Sequence, residues 1–312
     1  MPDPDLQRGA GAIGQASPSC DVVIVNYNAG GFLSGCVASA LAEGARSVIV
    51  VDNASGDDSL ALLEQSCPDK SRLKILRNAA NLGFAAACNI GVHASTQPFI
   101  LFLNPDATLA PGALACLMEA LAAAEDAGMA GGLLCNPDGS EQPGGRRVFP
   151  TPGRAFMRAF GLSRLAGRFP GWFPDFLLHE APLPAEAVAV EAISGACMLV
   201  ERAAMEDVGL WDEGYFLHCE DLDWCMRFRR KGWRILFVPG ARVVHQWGAC
   251  SRARPVFVEW HKHRGMMRFY RKFFRQQYPG ALMWLVAAGV WLRFGAVAAY
   301  YTARRLLGGG HG

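Results

Sequence analysis

Hydrogen-bonding side chains follow each of four short apolar runs in the first half of the 312-residue chain. These four segments are Asn26-Tyr27-Asn28, Asp52-Asn53, residues 78–81 and Asn104-Pro105-Asp106. Turn chemistry favours Asn, Asp and Pro at the end of any strand, so each segment alone has a structural explanation. Four such strand ends on one edge of a sheet indicate a ligand-binding site, because ligands of open α/β sheets bind beyond the carboxyl ends of the strands.

Two of these segments carry a carboxylate, Asp52 and Asp106. An acidic residue after a second strand can accept hydrogen bonds from a ribose or a base, and it can equally cap the following helix. Asp106 directly follows a buried strand, where a carboxylate can bind a hard divalent cation that phosphate oxygens also hold. Such a cation neutralises the charge that develops on a diphosphate leaving group. The edge is therefore predicted to bind a nucleotide diphosphate together with Mn²⁺ or Mg²⁺.

A sheet is needed to bring these segments together. Apolar runs typical of strands covered on both faces occupy residues 22–25, 48–51, 73–76, 99–103 and 129–134. Helical patterns separate them, at residues 32–41, 59–65, 84–93 and 111–125. This alternation predicts an α/β fold with a mostly parallel sheet and helices on both faces.

The second half of the chain is less regular. Residues 136–184 are rich in Pro, Gly, Arg and aromatics, and are predicted to form a long functional loop with short helical pieces near residues 156–165. Further strands are predicted at residues 196–201, 235–238 and 242–245, and a helix at residues 221–231.

The motifs in this frame resemble glycosyltransferase family 2, and most closely its rhamnosyltransferase-like branch. They cover about residues 20–275 in the expected order, and the ordered set is far more specific than any single block. The resemblance implies a GT-A (Rossmann-like) fold, a nucleotide-sugar donor and inversion at the anomeric carbon. The blocks are residues 22–28, 51–55, 81–89, 102–106, 194–200, 209–213 and 220–224, followed by Gly232-Trp233, His245 and Ser251.

The metal motif departs from the pattern that such enzymes often show. Where they have Asp-x-Asp, this chain has Asn104-Pro105-Asp106, which leaves Asp106 as the principal carboxylate ligand. The resemblance places His245 near the diphosphate and the metal, and imidazole is an acceptable ligand for Mn²⁺. It also places Ser251 and Arg252 on a loop able to close over the diphosphate.

The same resemblance makes Asp221 the general base, with Glu220 as the alternative. Inversion by single displacement needs one carboxylate to take the proton of the attacking hydroxyl group. Neighbouring acids could raise the pKa of Asp221 or orient it. The structural alternative is that acidic residues at the start of a helix stabilise it through capping and the macrodipole.

The remaining site residues follow from the matched motifs. Trp211 is predicted to line the acceptor pocket, and its structural alternative is packing in the core. The predicted donor-binding residues are Asn26, Tyr27, Asn28, Asp52, Asn53, Asn81, Gly83, Asn89 and Asn104. The predicted acceptor-binding residues are Gly195, Trp211 and Asp223, and the predicted metal ligands are Asp106 and His245.

The C-terminal part is basic and then strongly apolar. Between Arg252 and Arg275 there are eight Lys or Arg and one acid, Glu259. Residues 281–300 are long enough to span a bilayer, but Arg293 near their centre would be costly there. We expect a helical extension that lies in the plane of an anionic membrane, the alternative being two helices that pack on the domain.

Composition restricts the remaining possibilities. The formal charge of +2 gives no case for nucleic acid binding, and ten cysteines without a CxxC pair indicate reduced thiols in the cytoplasm. Residues 9–14 match GxGxxG but follow no strand, so they are not a dinucleotide site. The expected organisation is a disordered segment (1–19), a catalytic domain (20–252) and a membrane-associating extension (253–312), at the inner face of the cell membrane.

The predicted function is transfer of a sugar to a glycan or a polyprenyl-diphosphate-linked acceptor in cell-surface polysaccharide synthesis. The resemblance favours L-rhamnose from dTDP-rhamnose, with galactofuranose and hexosamines as alternative sugars. A nucleotidyltransferase is disfavoured because no Gly-rich, Lys-bearing phosphate loop follows the first strand. A non-catalytic membrane adaptor on a decayed transferase fold would account for the missing first carboxylate but not for Asp221 and His245.

Overall fold

The computed structural model describes residues 19–154, 178, 181–246 and 254–308. Three expectations therefore lie outside the described residues. They concern the N-terminal segment up to residue 18, the helical pieces at residues 156–165, and the loop that carries Ser251 and Arg252. The boundary expected between residues 252 and 253 also falls there.

A nine-stranded sheet forms the centre of the molecule, in the order β3-β2-β1-β4-β10-β6-β11-β5, with β8 paired to β11. A separate two-stranded sheet consists of β7 and β9. The strands are β1 (Cys20–Asn26), β2 (Ser47–Asp52), β3 (Leu73–Arg77), β4 (Phe99–Leu103), β5 (Ala107–Leu109), β6 (Ala127–Cys135), β7 (Arg146–Arg147), β8 (Val188–Val190), β9 (Ala192–Ile193), β10 (Cys197–Glu201) and β11 (Arg234–His245).

Strands β1 to β4 are parallel, as predicted, so their carboxyl ends open on one edge. Beyond β4 the sheet is mixed, because β10 runs antiparallel to both β4 and β6. The prediction of two strands at residues 235–238 and 242–245 was wrong. They form the single strand β11, whose pairing with β6 shifts register between Val238 and Arg242, where Pro239 offers no backbone N–H.

Helices cover both faces of the sheet, which is why its central strands β1, β4 and β6 are buried along nearly their whole length. Successive residues of β1 alternate between two cores, with Val22 and Ile24 in one and Val23 and Val25 in the other. The first core is completed by α1 (Phe32–Ala42), α2 (Ser59–Ser66) and α4 (Ala113–Ala122). The second is completed by α3 (Phe84–His93), α5 (Arg202–Val208), α6 (Glu220–Arg230) and α7 (Pro255–Phe273).

The last helix, α8 (Gly280–Gly308), packs on α7 but leaves most of its surface exposed. Trp260 of α7 contacts the rings of Trp291 and Phe294, with centroids 5.2 and 5.4 Å away. Among the described helices, α8 alone is long and apolar enough to cross a membrane, over Gly280–Leu306. Helix α7, in contrast, contributes Phe269 and Phe273 to the second core, so the predicted extension begins as part of the globular fold.

Candidate functional site

The ends of β1 and β2 are joined by one buried polar network. The Asn26 amide nitrogen donates to Asp52 Oδ1 at 2.8 Å and to Ser59 Oγ at 2.9 Å. Asp52 Oδ2 accepts from the backbone N–H of Ser55 at 3.1 Å. Both oxygens of Asp52 therefore have protein partners, which fixes the loop after β2 beside the end of β1.

The loops at this edge are held to each other by asparagine side chains. Asn28 is exposed, has φ of 54° and accepts from the Gly56 N–H at 2.8 Å, while Tyr27 beside it is half-buried. Asn53 is buried and donates to the Gly83 carbonyl at 3.0 Å. Asn81 accepts from the Gly83 N–H at 2.9 Å. The predicted donor residues at these strand ends thus lie together on one edge.

Gly83 connects this edge to the segment before α6. It has φ of +88°, and a Cβ atom there would lie 2.6 Å from the Phe216 carbonyl oxygen. The next residue, Phe84, donates its N–H to that same carbonyl at 2.8 Å. Only glycine allows this left-handed turn and this close approach of two backbones.

Three predicted site residues lie inside the fold instead of on the edge. The Asn89 amide is occupied by the backbone of Trp211, whose carbonyl it meets at 3.0 Å and whose N–H it accepts at 3.1 Å. Trp211 is 3% exposed and packs against Trp224, with ring centroids 4.2 Å apart. Both side chains are therefore buried inside the fold, and their binding roles remain predictions.

Asp223, the third of them, is completely buried. Its carboxylate accepts from Arg227 Nε at 2.8 Å and from the Tyr215 hydroxyl at 3.1 Å. Lys272 of α7 completes the set, with Nζ 2.6 Å from Asp223 Oδ1. These contacts hold α6 against α7 and give both oxygens of Asp223 a protein partner.

The predicted metal residues meet at the end of β4. His245 Nε2 lies 3.2 Å from Asp106 Oδ1 and 3.3 Å from the Asn104 amide nitrogen. Gln142, which the sequence did not single out, donates to the His245 carbonyl at 2.5 Å and presents its amide oxygen to His245 Nδ1 at 2.9 Å. An amide oxygen accepts, so His245 Nδ1 is the donor in this contact, and Gln142 holds the imidazole ring in one orientation.

His245 Nε2 and Asp106 Oδ1 face each other at 3.2 Å, and a divalent cation could be shared between these two atoms. A carboxylate, an imidazole and a side chain that orients the imidazole are a donor set that fits Mn²⁺ or Mg²⁺. Asp106 and His245 are two candidate metal ligands. No group of three acidic, histidine or cysteine side chains that could hold a metal ion occurs among the described residues. Substrate phosphate oxygens would have to complete the coordination.

The second predicted centre lies at the start of α6. Asp221 accepts from the Gly195 N–H at 3.2 Å and from the Leu222 N–H at 2.8 Å. It also forms an ion pair with Arg147, a residue of β7. Burial acts to raise the pKa of Asp221, but the charge and hydrogen bond of Arg147 outweigh it, so the pKa lies below its usual range. Asp221 is therefore a carboxylate at neutral pH.

Glu220 beside it has the opposite state. Burial, followed by the charge of Asp221, raises the pKa of Glu220 to about 8, and its Oε2 atom is buried without a partner among the described residues. The two residues before it, His218 and Cys219, have φ of 66° and 71°. Consecutive left-handed residues other than glycine are uncommon and strained, and such strain is concentrated at functional sites.

The two centres are joined through one short segment. The Asn104 N–H donates to the Ala196 carbonyl at 3.0 Å, and Gly195, the preceding residue, donates to Asp221. The end of β4, which carries Asp106, and the Asp221 carboxylate thus both contact the segment Gly195-Ala196. Arg147 and Gln142 belong to this site, but they fall in the stretch predicted as a loop, and no spacing in the sequence connects them to residues more than 70 positions away.

Comparison with known proteins agrees with this geometry. The model of a family described as glycosyltransferase-like family 2 matches residues 18–268. An N-acetylglucosaminyl-diphospho-decaprenol L-rhamnosyltransferase of Mycobacterium tuberculosis is 33% identical over 237 residues, which is 72% of this chain and 75% of that protein. Rhamnosyltransferase WbbL of Escherichia coli is 27% identical over 64% of this chain and 72% of its own length.

A solved structure has the same fold. A mannosyltransferase from Pyrobaculum calidifontis, in complex with GDP-Man and Mn²⁺, superposes with a TM-score of 0.57 over 96% of this chain and 77% of that one, at 16% identity. With the ordered edge, the Asp221 carboxylate and a family match over most of the chain, this protein belongs to glycosyltransferase-like family 2 and is a glycosyltransferase of GT-A fold.

Proposed function

We propose that the enzyme transfers L-rhamnose from dTDP-L-rhamnose, with inversion, to a polyprenyl-diphosphate-linked N-acetylglucosamine in cell-surface polysaccharide synthesis. The name of the Mycobacterium tuberculosis relative gives that sugar and that class of acceptor. The rhamnosyltransferase of Escherichia coli supports the same sugar. Galactofuranose and hexosamine donors are the alternatives within the fold.

The observation that carries the proposal is the position of the ionised Asp221. It stands at the start of α6, bordered by the same segment that contacts the end of β4. A nucleotide diphosphate bound at Asp106 and an acceptor hydroxyl group at Asp221 would therefore lie on opposite sides of the sugar that is transferred. This is the arrangement that a single displacement requires.

In that displacement the acceptor oxygen forms a bond to the anomeric carbon while the bond from that carbon to the diphosphate oxygen breaks. Asp221 accepts the hydroxyl proton as the new bond forms. Glu220 is a poor base at neutral pH because burial keeps it protonated. Asp106 and His245 would hold the divalent cation, which when bound supplies charge neutralisation at the leaving diphosphate.

The fold of the C-terminus supports a peripheral location at the cytoplasmic face of the membrane. Within the window that could cross a membrane, only 6% of α8 is buried. Arg293 is exposed on this helix, and a cation near the centre of an apolar stretch favours a helix that lies in the interface over one that spans. A lipid-linked acceptor would approach the site from that surface.

Replacing Asp221 tests the catalytic assignment. Asp221→Asn should lower transfer by roughly 10²–10⁴-fold, the usual contribution of a positioned base. Binding of the nucleotide sugar, measured by calorimetry against a donor panel with and without Mn²⁺, should persist. Glu220→Gln is the matched control, with a much smaller loss of transfer. A non-catalytic adaptor would show no donor binding and no change in either variant.

A further inference from the structure

Arg147 has an incomplete set of hydrogen bonds. Its Nη2 atom donates to Asp221 Oδ2 and, at 2.6 Å, to the Ile193 carbonyl. Its Nε–H is buried without a partner among the described residues, and none of the hydrogen bonds found there involves Nη1. A guanidinium with open donors in a cleft is a site that binds carboxylates or phosphates.

The preceding residue shows what a purely structural arginine looks like in this fold. Arg146 forms two hydrogen bonds with Glu141, at 2.8 and 3.1 Å, and donates to the Ala181 carbonyl at 2.8 Å. Its guanidinium also lies over the Phe237 ring, 5.3 Å from the centroid. Arg147 is held by the same pair of strands, β7 and β9, yet its side chain is 24% exposed and has donors without a partner among the described residues.

Two further nitrogen-bearing side chains surround the same space. His218 is exposed to solvent and lies close enough to Lys262, Asp221, Glu259 and Arg147 for their charges to act on it. In the described part of the chain, the Lys262 ammonium has one carboxylate partner, Glu259, at 3.6 Å.

The backbone beneath His218 is fixed by α7. A Cβ atom on Gly265 would lie 2.7 Å from the His218 carbonyl oxygen, so the helix approaches this strained residue as closely as glycine permits. His218, Lys262 and Arg147 thus come close together from three different segments. An anion that displaced Arg147 from Asp221 and Lys262 from Glu259 could contact a cation, an imidazole and a guanidinium at once.

The Arg147 ion pair also conflicts with catalysis. Asp221 Oδ2 is occupied by Arg147 and the Gly195 N–H, and Oδ1 by the Leu222 N–H. A carboxylate that is paired in this way is a weak base, because the cation favours its unprotonated form. For Asp221 to take a proton from the acceptor, something must draw Arg147 away.

We propose that Arg147 is an acceptor sensor, which masks Asp221 in the free enzyme and turns to the diphosphate of the bound acceptor, aided by Lys262 and His218. Asp221 then becomes an effective base only beside a diphosphate-linked sugar. The inference rests on the proposed function, since it assumes an acceptor whose diphosphate lies one sugar ring from the attacked hydroxyl. It assigns Arg147 a positioning role and makes the acceptor anion part of the catalytic control.

The test uses two acceptors with the same alkyl chain, one N-acetylglucosamine linked through a diphosphate and one linked directly. Calorimetry without donor should show the wild-type protein binding the diphosphate acceptor at least tenfold more tightly. Arg147→Gln should remove most of that preference, and Arg147→Lys should retain part of it, because a point charge lacks the guanidinium fork. Arg229→Gln, which removes an exposed cation, should leave the preference unchanged.

A second measurement separates this role from simple support of the fold. With the neutral acceptor, the acid limb of the kcat/KM profile should move to higher pH in Arg147→Gln, because the pKa of Asp221 rises when its cation is lost. Glu220, His218, Cys219 and Cys225, the other titratable groups near Asp221, are the same in all variants.

Failure of the two proposals can be told apart. If the wild-type protein transfers no sugar from any donor to either acceptor, the proposed function fails, whatever the binding result. If Arg147→Gln weakens both acceptors equally, or leaves their ratio unchanged, the sensor is overturned even in an active enzyme. Should Arg147→Gln not fold, the same criteria apply to Arg147→Lys, which keeps the charge.

Discussion

At the scale of single residues, adjacent carboxyl groups are held in opposite protonation states. Asp221 has a cation and two backbone N–H groups as partners, whereas Glu220 is buried and has the negative Asp221 as its neighbour. The first environment favours the charged form and the second favours the neutral form. Pairs whose surroundings separate their pKa values in this way are typical of sites that perform proton transfer.

The raised pKa of Glu220 predicts how stability depends on pH. Its pKa is about 8 in the folded protein, against a usual value of 4.5. Stability contributed by the buried neutral acid is therefore fully present below about pH 4.5 and lost as pH rises through about 8. Urea unfolding of wild-type protein should show this loss, at a slope of up to about one proton per molecule.

Glu220→Gln should remove that dependence, since an amide does not ionise. The variant should therefore gain stability relative to wild type between pH 5 and pH 8.5. Glu119→Gln, at an exposed position on α4, is the control and should follow wild type throughout. Parallel curves for wild type and Glu220→Gln would contradict a neutral Glu220.

At the scale of elements, the site depends on how α6 is attached to α7. Asp223 receives contacts from Arg227, one turn later in α6, and from Lys272 of α7. Asp212, before α6, binds Lys272 as well, at 2.7 Å, and Arg268 at 2.8 Å. Because α6 begins with Glu220 and Asp221, these ion pairs also fix the position of the base.

Removing the buried carboxylate should therefore destabilise the whole fold. Asp223→Ala should lower the free energy of unfolding by about 3–5 kcal/mol, because Lys272 and Arg227 lose their buried partner. Asp207→Ala, which breaks an exposed ion pair with Lys231, should change the free energy of unfolding far less. Urea denaturation measures both. Equal stability of the two variants, with weaker acceptor binding in Asp223→Ala, would favour the acceptor role predicted from the sequence over a structural one.

At the scale of the whole molecule, a globular transferase carries one helix whose surface is largely apolar and exposed. Trp284, Leu285 and Leu292 of α8 are 79%, 62% and 75% exposed. Arg271 and Arg275, just before this helix, have no carboxylate partner in the described part of the chain, and they line a cavity at its start. Apolar surface next to unpaired cations is complementary to an anionic membrane.

The exposed face of α8 should therefore govern binding to vesicles. Replacing Leu285 and Leu292 together by Glu should lower cosedimentation with anionic vesicles at least tenfold, since both apolar contacts are lost and negative charge is added. Leu62→Glu on α2 is the matched control, because Leu62 is also an exposed leucine. Unchanged binding of the double variant would show that α8 does not contact lipid.

Features that depend on local pattern were predictable from the amino-acid sequence. The strand at Phe99–Leu103 could be predicted because strands covered on both faces are apolar along their length. The polar residues that end β1, β2 and β4 could be assigned to one edge because parallel strands share a direction. The ordered motifs then identified the family and the fold.

Only the folded structure shows which polar side chains are already bound to other parts of the protein. Asn89 is occupied by Trp211, 122 positions away, and Asp223 is enclosed by Tyr215 and Lys272. Asp221 meets Arg147 across 74 positions, and His245 meets Gln142 across 103. Propensity and periodicity act over a few residues, whereas burial, ion pairing and tautomer depend on segments that only folding brings together. The type of a residue could therefore be read from the sequence, but its chemical state could not.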